Sequence, residues 1–198
     1  MINFWDDRYS QLEYIYGVNP NEFFAEQIQK LTPGKIILPC EGEGRNAVFA
    51  ATLGWQVKAF DLSEEGRKKA MKLANTKWVK IEYQLINAAL AEYTPGTADL
   101  VAFIFVHLPP IVRTSLHQKA ITWLKPGGRI LLEAFHPLQL QNISGGPSEL
   151  SMLYTEEMIR KDFQSLEIEQ LLTKKIILSE GNYHKGIADI IRFVGIKK

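Results

Sequence analysis

The sequence predicts an α/β fold, a doubly wound and mostly parallel sheet that finishes in an antiparallel hairpin. Three observations point to it. Lys35 to Asp61 reads as strand, glycine turn, helix and second strand, the repeating unit of an open parallel sheet. Short apolar runs then alternate with helical patterns as far as Phe135. Last, Leu166 to Leu178 and Ile187 to Ile196 are two long strand-like runs. The short polar stretch Glu180 to Gly186 joins them, which suits a hairpin rather than a crossover.

The first unit says most about a site. Ile36, Ile37 and Leu38 are apolar and β-compatible, as in a buried parallel strand. After Pro39-Cys40, Glu41-Gly42-Glu43-Gly44-Arg45-Asn46 makes a tight polar turn whose glycines let the backbone approach a ligand and aim amides at it. Ala47, Val48, Ala50, Ala51 and Leu53 follow as a helix packed on the sheet, closed by Gly54. Gln56 to Phe60 is the next strand. Asp61 sits at its carboxyl end, where parallel sheets hold ligands and a carboxylate can accept both hydroxyls of a ribose. A strand-to-helix connection with no ligand has the same look, and Gly42, Gly44 and Ala47 with Asp61 also fit a dinucleotide pattern. Charge discriminates between the ligands. Glu41 and Glu43 repel a pyrophosphate but suit a sulfonium and an amino group, while Arg45 can clamp an amino-acid carboxylate. That pattern favours S-adenosylmethionine over a nicotinamide dinucleotide.

Upstream, Phe4, Trp5, Tyr9, Tyr14, Tyr16, Phe23 and Phe24 crowd residues 1–34. They pack a lid or helix into the core, or Trp5, Tyr14 or Tyr16 covers the sulfonium by cation–π contact. Asn19 or Asn21 caps a helix from about Glu22 to Leu31. Downstream, Ser63 caps a helix that carries Arg67, Lys68, Lys69 and Lys72 outward, and Ile81 to Ile86 is the third strand. Asn87 to Glu92 then falls over the adenine position of a doubly wound sheet. Val101 to Val106 is a fourth strand buried on both faces. It ends at His107, placed for a role at the cleft or for capping and packing. Pro110 starts a helix through Leu124, Lys125 to Gly128 turns the chain, and Arg129 to Phe135 is the fifth strand. Pro137 to Ser151, with Gly145-Gly146-Pro147, is long enough to be a binding loop, and Thr155 caps a short helix to Phe163.

Bulk properties narrow the class. At 198 residues and 22.5 kDa one domain, 1–198, is expected, with an ordinary 46% hydrophobic and 23% charged content. A net charge of +1 and the absence of long basic runs speak against nucleic acid or acidic membranes as partners. No apolar stretch is long enough for a membrane span and no signal-peptide pattern opens the chain, so a cytoplasmic protein is expected. Cys40 is the only cysteine, which removes an intrachain disulfide and a cysteine metal cluster; no metal site is expected.

The assembled features resemble the class I S-adenosylmethionine-dependent methyltransferases, closest in look to the group of tellurite-resistance and thiopurine methyltransferases. The residues that carry the likeness are Trp5-Asp6-Asp7-Arg8-Tyr9, Tyr16-Gly17 with Pro20-Asn21, Glu41 to Asn46, Asp61, Phe105 with His107-Leu108-Pro109, and Leu124 to Gly128. Gly145-Gly146-Pro147, Glu180-Gly181, His184 and Gly186 belong to it as well. The resemblance implies seven strands, the last antiparallel and inserted beside the fifth, and a cofactor site lined by Gly42, Gly44, Arg45, Asp61, Leu62 and Leu90. Trp5, Tyr16 and Phe105 join that set. The family's first motif is usually Asp-x-Gly-x-Gly-x-Gly; here Leu38 stands for the acid and Cys40 for the first glycine, and Glu41 is expected to supply the ammonium contact. The acid often found after the third strand is also replaced, with Asn87 able to accept from the adenine amine.

Methyl transfer needs alignment and a water-poor site more than strong acid–base chemistry. A small acceptor with a soft nucleophile, thiol or chalcogen, needs little base, and His107 and His184 are the candidates to orient or deprotonate it. Two other classes fit parts of the pattern: a non-catalytic module that binds the cofactor or its product, and a nicotinamide-dependent reductase.

Overall fold

The computed structural model describes residues 2–198, with side chains from Phe4 onward. Its sheet has seven strands in the order β3-β2-β1-β4-β5-β7-β6. These are β1 (Lys35–Pro39), β2 (Gln56–Asp61), β3 (Glu82–Leu85), β4 (Ala98–Ile104), β5 (Leu124–Phe135), β6 (Leu166–Glu180) and β7 (His184–Lys197). β1 to β5 pair in parallel, and β7 lies antiparallel between β5 and β6, as the resemblance implied. The helices are α1 (Ile2–Tyr9), α2 (Glu22–Ile28), α3 (Arg45–Thr52), α4 (Glu64–Thr76), α5 (Pro110–Trp123) and α6 (Glu156–Asp162).

Period-two alternation splits the apolar strands between two cores. Ile36, Leu38, Leu100 and Ala102 face Phe23 and Phe24 of α2, Ala47 and Val48 of α3, and Ala70 and Leu73 of α4. Ile37, Val101 and Phe103 face Leu116, Ala120 and Trp123 of α5, and Ile159 of α6. Because helices cover both faces, the central strands carry unbroken apolar runs. Phe23 and Phe24 are wholly buried, and at roughly 1.5–3 kcal/mol each they seat the short helix α2 against the sheet.

The strand order reverses between β1 and β4, since β1 leads outward to β2 and β3 while β4 leads the other way to β5. Ligand crevices of open α/β sheets lie outside the carboxyl ends at such a point. Here both carboxyl ends turn through left-handed backbone at a residue with a side chain, Cys40 (φ 51°) after β1 and Phe105 (φ 53°) after β4. That conformation costs about 1–2 kcal/mol for an L-residue and tends to be kept at functional sites.

Several boundaries differ from the sequence expectation. α2 stops at Ile28, three residues short of Leu31. Lys125 to Gly128 belongs to β5 as an outward bump, with Ala98 opposite Leu124 and Leu100 already opposite Arg129. The terminal hairpin is tighter than Glu180 to Gly186: Glu180 pairs with His184, and only Gly181 to Tyr183 forms the loop. His184 is thus a strand residue whose position the sheet fixes.

Gly44 caps α3 in left-handed backbone (φ 84°), and a Cβ there would lie 2.5 Å from the Ala70 Cβ and 2.9 Å from its Cα. Gly44→Ala is therefore expected to destabilise the fold by about 2–4 kcal/mol, read as a lower urea midpoint. An unchanged midpoint would contradict this packing of α3 on α4.

Candidate functional site

The turn after β1 is held from every side by its own carboxylates. Glu41 Oε1 accepts from the Ala47 amide at 2.7 Å and caps α3, whose N-cap residue is a glycine without a side chain to do so. Burial raises the Glu41 carboxyl to about 7 despite the amide bond and the nearby Arg45. Asp61 reaches back across the crevice: its Oδ2 accepts from the Gly42 amide at 3.0 Å and its Oδ1 from the Ser63 amide at 2.9 Å. Burial pushes its carboxyl up, and these amides oppose the shift. A carboxylate offers about four acceptor sites, so Asp61 keeps capacity for a diol.

Glu43, expected to face a cation of the ligand, points away. It accepts from the Ile15 amide at 2.8 Å and pairs with Lys69 at 2.8 Å. The N-terminal segment is fastened by such contacts. Asp6 Oδ1 accepts from Ser63 Oγ at 2.6 Å and from the Glu65 amide at 3.2 Å, fixing α1 to the start of α4. Trp5 stacks on Tyr9 (ring centroids 5.4 Å apart), and a Cβ on Gly42 would lie 2.5 Å from the Tyr9 hydroxyl. The aromatics therefore divide their work. Phe23 and Phe24 are core, Tyr14 packs against the core, and Trp5 and Tyr9 form a lid beside the glycine turn.

Beyond the turn lies a buried polar row. Arg45 does not stand free for a ligand carboxylate: its Nη2 pairs with Glu180 Oε2 at 2.8 Å, and its Nη1 donates to the Tyr16 carbonyl at 3.3 Å. The same Glu180 oxygen lies 3.2 Å from His184 Nδ1. Asn21 Nδ2 donates to Glu180 Oε1 at 2.9 Å and to Glu133 Oε1 at 2.6 Å, and Arg192 pairs with the other oxygen of Glu133. Burial alone would raise the Glu180 carboxyl, but the bond from His184 and the charge of Arg45 bring it down to about 2. Burial lowers the His184 imidazole below its usual value, against the pull of Glu180. A carboxylate acceptor at Nδ1 makes that nitrogen the N–H and leaves a lone pair on Nε2, which has no hydrogen-bond partner among the described residues.

The His184 ring is enclosed by Tyr16 (4.4 Å between centroids), Phe105 (4.6 Å) and Phe135 (5.4 Å). The long loop closes the remaining side, where a Cβ on Gly145 would lie 2.8 Å from the His184 ring. His107 takes the capping and packing role that was one of the two open to it. Its Nδ1 contacts the Met152 carbonyl at 2.8 Å and its Nε2 accepts from the Phe135 amide at 3.3 Å, so both nitrogens are committed to backbone. Burial takes it down to about 4, and it is a neutral brace under the loop rather than a base.

Of the expected cofactor residues, Gly42, Gly44, Glu41, Arg45, Asp61 and half-buried Leu62 cluster at the β1 and β2 ends. Asn87 and Leu90 flank the short turn after β3 and are exposed, with Asn87 Oδ1 accepting from the Ala89 amide. Glu180, Asn21, Glu133 and Tyr9 were not singled out as site residues from sequence. Glu180 and His184 four apart around Gly181-Asn182 were the one available signal, since a three-residue hairpin loop pairs them.

The residues present fit S-adenosylmethionine. Asp61 has spare acceptor capacity for a ribose, the glycine turn donates to it through the Gly42 amide, and apolar, half-buried Leu62 follows it in the chain. Residues 38–128, from β1 into β5, match the family model described as a methyltransferase domain. The thiopurine S-methyltransferase of Legionella pneumophila (strain Corby) is 24% identical over 89% of this chain and 87% of its own length. Among solved structures, one from work on conversion of a disulfide bond into a thioacetal group during echinomycin biosynthesis superposes with TM-score 0.80 at 13% identity, covering 100% of this chain and 92% of that one. Magnesium protoporphyrin IX methyltransferase from Synechocystis PCC 6803, solved with bound S-adenosylhomocysteine, gives 0.67 at 16% identity over 89% and 83%.

Asn21→Ala removes the amide shared by two buried carboxylates together with the side-chain cap of α2, and is expected to cost about 3 kcal/mol in urea unfolding. A loss within 0.5 kcal/mol, roughly the ceiling for an inert surface change, would mean the row does not bear on stability.

Proposed function

We propose that this chain, a class I S-adenosylmethionine-dependent methyltransferase, methylates a soft nucleophile, a thiol or a chalcogen, on a small acceptor seated against His184. The observation that carries this reading is the Glu180–His184 pair: a buried imidazole walled by Tyr16, Phe105 and Phe135, whose Nε2 has no hydrogen-bond partner among the described residues. The thiopurine S-methyltransferase relatives support the choice of a sulfur acceptor.

In this reading Asp61 takes the ribose hydroxyls, Leu62 and Leu90 flank the adenine, and Asn87 accepts from its amine. The Gly42–Gly44 turn, with Tyr16, Phe105 and the Trp5 lid, borders the rest. When bound, the cofactor supplies an electrophilic methyl group on a sulfonium. The aromatic walls exclude water around the acceptor and so strengthen every charge interaction there. Glu180 holds the Nδ1 proton of His184, and Nε2 takes or orients the proton of the acceptor. A thiol, with pKa about 8.5, yields its proton to a neutral imidazole far more readily than an aliphatic alcohol does. Arg45 balances the Glu180 charge, so that the carboxylate orients the imidazole without itself becoming protonated.

His184→Ala is expected to lower kcat for a thiol acceptor by about 10²-fold or more while S-adenosylhomocysteine affinity stays within twofold. Loss of both together would assign His184 to structure. Asp61→Ala should weaken S-adenosylhomocysteine binding in calorimetry by about 2–3 kcal/mol, and unchanged affinity in the folded variant would remove Asp61 from the ribose. For pH, the sign follows from the lowered imidazole: a base is active above its folded pKa, so the acid limb of kcat/KM should lie below the ordinary histidine value of about 6.5. The His184→Ala variant should lack that limb.

A further inference from the structure

We propose that Arg8 is the anion-recognising residue of the acceptor site, so that the molecule methylated carries a carboxylate or a comparable oxyanion about the length of an aromatic ring from its nucleophilic atom. The proposal rests on the placement of the acceptor at His184. The other cations around the crevice are already matched: Arg45 by Glu180, Lys69 by Glu43 and Arg192 by Glu133. Arg8 makes no ion pair among the described residues. Asp7 next to it in α1 points elsewhere by helix geometry, and Asp6 is engaged at the start of α4.

Aromatic faces hold the Arg8 guanidinium instead. Its Cζ lies 4.5 Å from the Phe4 ring centroid and 5.4 Å from that of Trp5, with Tyr183 at 4.9 Å, and its Nη1 donates to the Tyr16 hydroxyl at 3.2 Å. Rings orient a guanidinium without neutralising it and leave most of its five N–H donors unused. Tyr16 sets the spacing. Its hydroxyl meets Arg8 while its ring lies against His184, so an acceptor lying along Tyr16 would span from the cation to the imidazole over about one aromatic ring. A guanidinium fork at that distance selects a planar bidentate anion.

A carboxylate could reach Arg8 from the acceptor or from the amino-acid end of the cofactor, and the experiment separates them. Wild type and Arg8→Met, which keeps much of the apolar stem, are each saturated with S-adenosylhomocysteine and titrated calorimetrically with benzoate and with benzamide. Wild type should bind benzoate at least tenfold more tightly than benzamide, Arg8→Lys should keep part of that preference, and Arg8→Met should lose it with S-adenosylhomocysteine affinity unchanged. In turnover, Arg8→Met should raise KM for 4-mercaptobenzoate at least tenfold more than it raises KM for 4-methylbenzenethiol. No benzoate preference in wild type, or one that survives in Arg8→Met, overturns the proposal. Weakened S-adenosylhomocysteine binding in Arg8→Met would give Arg8 to the cofactor's carboxylate and overturn it equally. Benzoate preference with transfer to neither thiol would count against the soft-nucleophile reading and uphold Arg8.

Discussion

The structure around the crevice depends on one buried charge, the Glu180 carboxylate. Bringing it out of water costs several kcal/mol, which only close partners can offset. It has three: Arg45 from α3, Asn21 from the cap of α2, and His184 across the hairpin. Each comes from a different part of the chain, so the single carboxylate ties the glycine turn, the N-terminal segment and the terminal hairpin together. Removing it would leave Arg45 buried without a counter-charge, the situation that makes breaking a buried pair far more damaging than its net worth suggests. The Asn21 amide extends the row to Glu133 and Arg192 and holds two carboxylates in register that would otherwise repel.

The proposed site has two halves with different origins. The cofactor half comes from consecutive chain, β1 through β3, and its departures from the family motif have local explanations. Leu38, in place of the usual acid, is wholly buried in the core under α3, and Glu41, three residues on, supplies the carboxylate that caps the helix. Cys40, in place of a glycine, nonetheless adopts the left-handed backbone a glycine would. The turn keeps its shape with a different set of side chains. Residues 38–128 match a methyltransferase-domain model, which supports the cofactor reading of the turn over the nicotinamide-dependent one. The acceptor half joins residues far apart in sequence: Tyr16, Phe105, Phe135 and His184, packed ring against ring under the long loop.

This division also decides what could be read from sequence. Strand and helix identities followed from apolar period and from caps at Asn21, Ser63 and Thr155, each of which accepts a hydrogen bond from an amide of the helix it opens. The antiparallel hairpin followed from its short polar loop. What failed was anything needing a partner across space. Arg45 looked free because Glu180 lies 135 residues away, and Glu43 looked ligand-facing because its partners are a backbone amide and a lysine on other elements. His107 was legible as a residue at a strand end. Its two backbone contacts are with Met152 and Phe135, set by how the loop folds back, and no local pattern encodes that. Membership of the sheet for His184 was hidden by a loop read too long.

The buried row fixes His184 as a neutral imidazole with its proton on Nδ1 and an Nε2 without a hydrogen-bond partner among the described residues. The most direct measurement is a long-range ¹⁵N–¹H correlation spectrum of the histidine rings, followed through a pH titration and assigned with His184→Gln. The Nδ1–H neutral tautomer is expected for His184 at pH 7, with protonation setting in only below the ordinary imidazole value. An Nε2–H tautomer or an imidazolium at that pH would contradict it.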